Sequence, residues 1–561
     1  MKRLTDNLPK TQQALLFLLP VLYFIAGAYF RDLLGNLSLR SSDPEYIYFM
    51  SGLTLSEGTL KLAHIDNPGT PLQVLVALVF RIIWFFRGLP KPFVEDVFLH
   101  PDMYLSVTSL FIAGLTAALL FYAGKKTYQY TNSIFYALLV QTAPFLPVIW
   151  YDLIGRVAPE LIMPFPLVLL TVLIIKVFFQ KEPVSHYQLF LFALLSAFGL
   201  SIKLTFLPVW FIPFMIMDGW KKKAAFVGIS LALFFIIAFP MTLRFHIFWG
   251  WIKDLFFHSG QYGGGESNIV DFASLKSNLR ELIHLEKRFF YVFLALTASL
   301  IAYLAWFRKK AEKRISLLAV AVILSIAVQV LMVGKHYAHR YFIPVLLLSP
   351  LMVFLMAELI KKFYPGRKMN IAINIGIAAL LIWSVEHNLH WLPIKSQAMG
   401  ADIENRMPTW HYAQLLEKDS YKIITSQNYG SPFIEYTLTY SHVWGNHKKR
   451  LEYAPILDKL YPFVYNYFTW DNTLKYWVEP FDAQTIIDSG RNVYLYIERD
   501  EEELFDKTLA KLHEESPTPF VAESELLFRN PATTEVIYEL KFFRNQGLIL
   551  KSGTDFEADP D

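Results

Sequence analysis

The residues best suited to chemistry stand in short polar stretches between long apolar ones. Ser41-Ser42-Asp43-Pro44-Glu45-Tyr46 carries two carboxylates two residues apart. Such a pair can take a proton from a nucleophile or hold a divalent cation. It reads equally as a helix start, with Asp43 as cap, Pro44 at the first helical position and Glu45 at the positive helix end. The two roles can coexist. His64-Ile65-Asp66-Asn67-Pro68-Gly69-Thr70-Pro71 brings His64 and Asp66 ahead of an apolar run, where a plain turn is the simpler reading. In Tyr151-Asp152-Leu153-Ile154-Gly155-Arg156-Val157-Ala158-Pro159-Glu160, a helix would stack Asp152, Arg156 and Glu160 on one face. A surface ion pair is the bland alternative. The cations are Lys203 and the stretch Lys335-His336-Tyr337-Ala338-His339-Arg340. Arg340 can grip phosphate as a bidentate fork, and the stretch can equally anchor at a membrane interface. His336 and His339 are a weak metal signal without a third ligand. Tyr262, in His258-Ser259-Gly260-Gln261-Tyr262, is a candidate substrate contact in what reads as a polar loop.

Several chemistries are excluded. The chain has no cysteine, so a thiolate nucleophile, a disulfide and a Cys-ligated metal are all ruled out. It has no Walker loop, dinucleotide fingerprint or zincin motif, so energy for any reaction must arrive with the substrate. A net charge of +4 over 561 residues gives no reason to expect a nucleic-acid partner. A divalent cation is the one cofactor the residues leave open, and Asp43 and Glu45 would be its ligands.

The elements that must position these residues are membrane helices. The chain is 54% hydrophobic and 18% charged, against about 25% charged in a typical soluble domain. Its apolar blocks run about as long as the roughly 20 residues that a bilayer requires. The clear blocks are Ala14–Phe30, Tyr104–Ala123, Ser133–Trp150, Leu161–Phe179, Ala224–Met241, Phe289–Phe307, Ile315–Gly334, Tyr341–Leu359 and Ile371–Val385. Thr70–Phe86 and Tyr187–Met217 are ambiguous, and charge decides them. If Thr70–Phe86 lies in the interface and Tyr187–Met217 turns back near Ser201–Lys203, the inner pieces hold 18 Lys and Arg in 47 residues. The outer face before the C-terminal domain then holds about 16 in roughly 135. Arg81 also suits an interfacial helix, since arginine at mid-bilayer is costly. The expectation is an α-helical polytopic membrane protein with about 11 transmembrane helices and a C-terminal α/β extracytoplasmic domain. The N-terminal segment, residues 1–10, is expected to lead into a retained anchor helix on the cytoplasmic side. Residues 1–386 form the membrane domain, with outward loops at 31–101 and 242–288, the latter mobile around Gly263-Gly264-Gly265. The water-facing domain is expected at 387–553, with strands at Lys422–Ser426 and Asn492–Ile497 and a hairpin of Ser524–Arg529 with Glu535–Phe543 around Asn530-Pro531. A disordered tail follows at 554–561. The halves of the 187–217 hairpin span only about 21–24 Å of helix rise. Lys203 is therefore expected in a depression, where it needs an anion.

Five motifs in order carry a resemblance to the GT-C superfamily of membrane glycosyltransferases. The branch is that of protein O-mannosyltransferases and the lipid A aminoarabinose transferase. They are the acidic pair Asp43-Pro44-Glu45, a loose match at His64–Pro71, Arg156-Val157-Ala158-Pro159-Glu160, Gly199-Leu200-Ser201-Ile202-Lys203-Leu204-Thr205 and Arg340-Tyr341-Phe342-Ile343-Pro344. Asn67-Pro68-Gly69 departs from the usual Pro-Pro pair, and the glycine run is unusual. The resemblance implies a polyprenyl-phosphate sugar donor and a lipid, glycan or protein acceptor at the outer face of a bacterial inner membrane, among membrane lipids. On that expectation Asp43 is the general base of an inverting transfer, Glu45 and Glu160 position the acceptor or share that role, and Arg156, Lys203 and Arg340 stabilise the departing phosphate. His64, Asp66, Asp152, Tyr262, His336 and His339 are further substrate contacts. The rival readings are a flippase for a lipid-linked glycan and a noncatalytic scaffold subunit.

Overall fold

The computed structural model describes residues 9–40, 43–89, 91–180, 182–258, 264, 272–427 and 430–544. Tyr262, most of the glycine run and the tail at 554–561 lie outside the described residues.

The chain divides into two compact units. The first comprises Met1–Gly35, Asp43–Ala401 and Trp444–Asn446, and the second Asn36–Ser42, Asp402–Val443 and His447–Asp561. The expected boundary at 386 falls inside the helix Arg367–Leu415, because helix continuity carries on past the end of the apolar run.

The first unit is helical. Seven helices among the described residues are long and apolar enough to cross a membrane, including Lys10–Leu33, Pro101–Thr131, Pro159–Phe179 and His339–Phe363. Thr70–Phe86, His186–Ile202 and Leu204–Ile216 are shorter and apolar, so length and composition alone do not reach a count of eleven. The block 133–150 is not one helix. Ile134–Gln141 is followed by a 3-10 turn at Ala143–Phe145 and a one-turn helix at Trp150–Leu153. Pro144 and Pro147 remove the amide donors that a continuous helix would need there. The long stretch 187–217 breaks as expected. A capping box of Ser185 and Gln188 starts the first helix, and Lys203 is extended at φ −160°. The break is tight because the Phe206 ring packs against Gly199, where a Cβ would lie 2.5 Å from that ring. Residues 242–288, expected as a loop, contain the helices Phe245–Phe257 and Phe272–Leu285. Their apolar residues recur at helical spacing but are interrupted by charge, which reads as a loop in hydropathy.

The second unit is built on one six-stranded sheet. Its strands are β1 (Tyr421–Ser426), β2 (Val464–Phe468), β3 (Thr473–Lys475), β4 (Val493–Ile497), β5 (Phe520–Arg529) and β6 (Val536–Arg544). Their spatial order is β3-β2-β1-β4-β6-β5. β1 pairs in parallel with β2 and β4, and the remaining pairs are antiparallel. Ile423, Leu495, Leu512 and Val536 are buried together in its core. Asn530 makes the hairpin turn, its Oδ1 accepting from the Ala532 amide at 2.8 Å. β2 and β3 went unread in the sequence.

Candidate active site

The first unit assembles a charged cluster from four separate stretches. Asp43 stands just before the helix Glu45–Ser56 and does not cap it, since that helix has no side-chain cap. Its Oδ2 instead accepts from Arg340 Nη2 at 3.2 Å. Both side chains are about a quarter exposed, so the pair is open to a ligand. Lys203, at the break between its two helices, is buried on Glu160 Oε1, and its Nζ lies 4.4 Å from the centre of the Tyr341 ring. The anion that Lys203 required is thus a carboxylate of its own chain. Glu160 Oε2 is buried without a hydrogen-bond partner among the described groups.

Glu45 behaves differently from Asp43. It is wholly buried, and its Oε1 accepts from Arg31 Nη1 at 2.7 Å and from the Val157 amide at 3.0 Å. Arg31 Nε also donates to Ser106 Oγ at 2.9 Å, and Ser109 Oγ donates to the Gly155 carbonyl at 2.7 Å. Gly155 has φ +92°, and a Cβ there would lie 2.6 Å from the Arg31 backbone nitrogen. Glu45 therefore ties the start of its helix to the turn ahead of Glu160. Glu45 Oε1 is taken up by Arg31 and Val157, whereas Asp43 Oδ2 meets Arg340. Among the described residues no group of three or more His, Asp and Glu gathers to hold a metal.

The helical face expected for Asp152, Arg156 and Glu160 does not form. The helix ends at Leu153, Gly155 turns the chain, and Glu160 lies on a separate 3-10 turn at Pro159–Ile162. Asp152 pairs with Lys395 at 2.7 Å, and Arg156 Nε donates to the Asp152 carbonyl at 3.2 Å. His336 and His339 also part company. His336 Nε2 meets the Leu255 carbonyl at 2.8 Å, whereas His339 Nε2 meets Glu286 Oε1 at 2.9 Å, which also accepts the Val148 amide at 3.1 Å.

His64 and Asp66 reach the cluster through Tyr48, which no motif singled out. The Tyr48 ring sits edge-on to His64 at 5.7 Å. Burial raises its phenol well above the ordinary value, and the charges of Glu160, Asp66 and Asp43 raise it further against Arg340. His64 Nδ1 lies 2.7 Å from Asp66 Oδ1. Burial would raise the Asp66 carboxyl, but His64 and the backbone amides of Asp66 and Asn67 together outweigh it, and the net shift is downward. Arg244 Nη1 donates to the Leu62 carbonyl at 2.9 Å and supports this loop. Tyr48 lies one helical turn after Glu45, its only sequence signal, whereas Tyr341 stands in the motif Arg340-Tyr341-Phe342-Ile343-Pro344.

Arg340 and Tyr341 also line a cavity of about 310 Å³, with Asn67, Thr205, Trp251 and Met332 among its other walls. A charged rim on a largely apolar cavity suits an anion carried on an apolar chain.

No protein-family model and no curated protein matches the chain. The fold is similar to that of the crystal structure of ArnT from Cupriavidus metallidurans bound to undecaprenyl phosphate, at 10% identity and a TM-score of 0.47 over 92% of this chain and 97% of that one.

Proposed function

We propose that the protein is a membrane glycosyltransferase that moves a sugar from a polyprenyl-phosphate donor to a lipid, glycan or protein hydroxyl at the outer face of a bacterial inner membrane. One observation carries the reading. Asp43 leaves its helix uncapped and pairs with Arg340, which lines the adjoining cavity. A proton acceptor and a phosphate-binding cation thus meet at one point.

The Asp43–Arg340 pair is the resting state. A donor phosphate takes over the Arg340 guanidinium and frees the Asp43 carboxylate. The acceptor oxygen attacks the anomeric carbon as Asp43 takes the hydroxyl proton. The bond from that carbon to the phosphate oxygen breaks, its electron pair goes to the phosphate, and configuration inverts. Charge develops on the departing polyprenyl phosphate, where Arg340 stabilises it and the Lys203–Glu160 pair holds Tyr341 beside it. Glu45 is a positioning residue. The apolar cavity walls take the first part of the polyprenyl chain.

Asp43→Asn tests the reading, through mass spectrometry of lipids that co-purify with the full-length chain. The expected result is a polyprenyl-phosphate sugar retained by the variant and bare polyprenyl phosphate on the wild type, with turnover abolished. Retained turnover in Asp43→Asn would sink the assignment. Equal binding of a larger lipid-linked glycan to both proteins would favour the flippase.

A further inference from the structure

The helices Ser349–Phe363 and Arg367–Leu415 are joined by the turn at residues 364–366, yet they do not close against each other. A cavity of about 240 Å³ lies between them. Met356, Ala357 and Ile360 wall it on one helix, and Met369, Ile373 and Gly376 on the other. Every residue that lines it is apolar. From Met369 to Leu380 the wall rises about 17 Å, close to half of the roughly 30 Å hydrocarbon core. The cleft therefore has the depth of one leaflet.

Gly376 marks its open side. Glycine is a poor helix former, and inside a membrane helix it usually lets a neighbouring helix come close. Here no neighbour uses the space. Gly376 lies within the helix, and a Cβ built on it would meet nothing within 4 Å. The notch leaves room that no protein atom fills.

Charge at the joined end is one-sided. Lys361 and Lys362 follow Ile360 and are answered by their own chain. Lys361 Nζ lies 2.6 Å from Glu358 Oε1, and Lys362 pairs with Glu312. Arg367 and Lys368 precede Met369, are exposed, and have no acidic partner among the described residues.

We propose that this cleft is a phospholipid site, with one acyl chain in the notch at Gly376 and the phosphate of an anionic headgroup on Arg367 and Lys368. Arginine offers that phosphate its planar fork. A zwitterionic headgroup would bring its own ammonium to the same two cations, so a lipid of net negative charge is preferred. The chain supplies the packing that the two helices lack here. The site stands apart from Asp43 and from sugar transfer, and its test reads no turnover.

The test is native mass spectrometry of the full-length protein in detergent, with equal amounts of phosphatidylglycerol and phosphatidylethanolamine of matched acyl chains. Wild type is expected to retain one phosphatidylglycerol with a preference on the order of 30-fold, the worth of two basic side chains at a membrane surface. Arg367→Gln with Lys368→Gln is expected to bring the preference close to one. Lys221→Gln, on another basic turn, is expected to leave it unchanged. Gly376→Phe is expected to retain at least about tenfold less phosphatidylglycerol, the worth of about two buried methylenes. A wild type that holds both lipids equally, or neither, overturns the proposal. Undiminished retention in Gly376→Phe overturns the cleft. A loss in Lys221→Gln equal to that in the double variant means general surface charge and overturns the headgroup site. Should Gly376→Phe fail to fold, Ala372→Leu narrows the same wall one turn earlier, and the same results apply.

Discussion

Breaking the buried Lys203–Glu160 pair separates a structural partnership from a surface ion pair. Their side chains are 4% and 1% exposed. At an effective dielectric of about 20, two unit charges roughly 4 Å apart attract by about 4 kcal/mol. Lys203→Met would leave the Glu160 carboxylate buried without its ammonium partner, and Glu160→Leu would strand the ammonium against the Tyr341 ring. Each single substitution should therefore destabilise the first unit by about 3–5 kcal/mol, the usual loss when one partner of a buried pair is removed. The double substitution removes both charges and fills the space with apolar atoms, so it should lie within about 1–2 kcal/mol of wild type. Unfolding in micelles titrated with SDS, followed by tryptophan fluorescence, gives all four midpoints. Single losses below about 1 kcal/mol, as for an exposed pair, would refute the reasoning. So would a double variant that costs the sum of the singles. Turnover adds a second reading, since a stable but slow double variant would show that the Lys203–Glu160 pair also serves the transfer.

Two further outcomes follow from the same geometry. Gly155→Ala should cost at least about 2 kcal/mol, through both the strained left-handed backbone and the clash with the Arg31 backbone, and it should slow turnover by displacing Glu160. The same micelle unfolding checks the first effect, and an unchanged midpoint would mean the turn relaxes freely. Asp66→Asn should be destabilising at pH 7, by an amount that shrinks as the pH falls below the unfolded carboxyl's range. The folded carboxyl titrates below its ordinary value because His64 and the backbone amides of Asp66 and Asn67 together outweigh burial. Its stabilisation is thus complete above the unfolded value of about 4 and is lost as pH falls through the lower folded value. Midpoints of both proteins across pH 3–7 check this, and a gap that widens toward acid would reverse the sign.

Sequence alone determined the class of the molecule and where its chemistry could lie. Long apolar blocks can only be membrane helices or deep core, and the short apolar runs within Lys422–Ser426 and Asn492–Ile497 read as strands, where β1 and β4 lie. These signals are local, so they survive without a fold. The break at Lys203 was legible for the same reason. Two strands escaped because Val464–Phe468 lies beside a helical stretch of mixed pattern and Thr473–Lys475 is only three residues long. The acidic pair at 43 and 45 was visible, but its two members looked alike. Only the tertiary structure decided that Asp43 meets Arg340, 297 residues away, while Glu45 is sealed on Arg31. It also decided that the anion of Lys203 is Glu160 and that His336 and His339 diverge. A sequence of 52 basic and 48 acidic residues allows many pairings of opposite sign. Coulomb attraction chooses among them only after backbone packing has brought particular side chains within a few ångströms and removed the water between them.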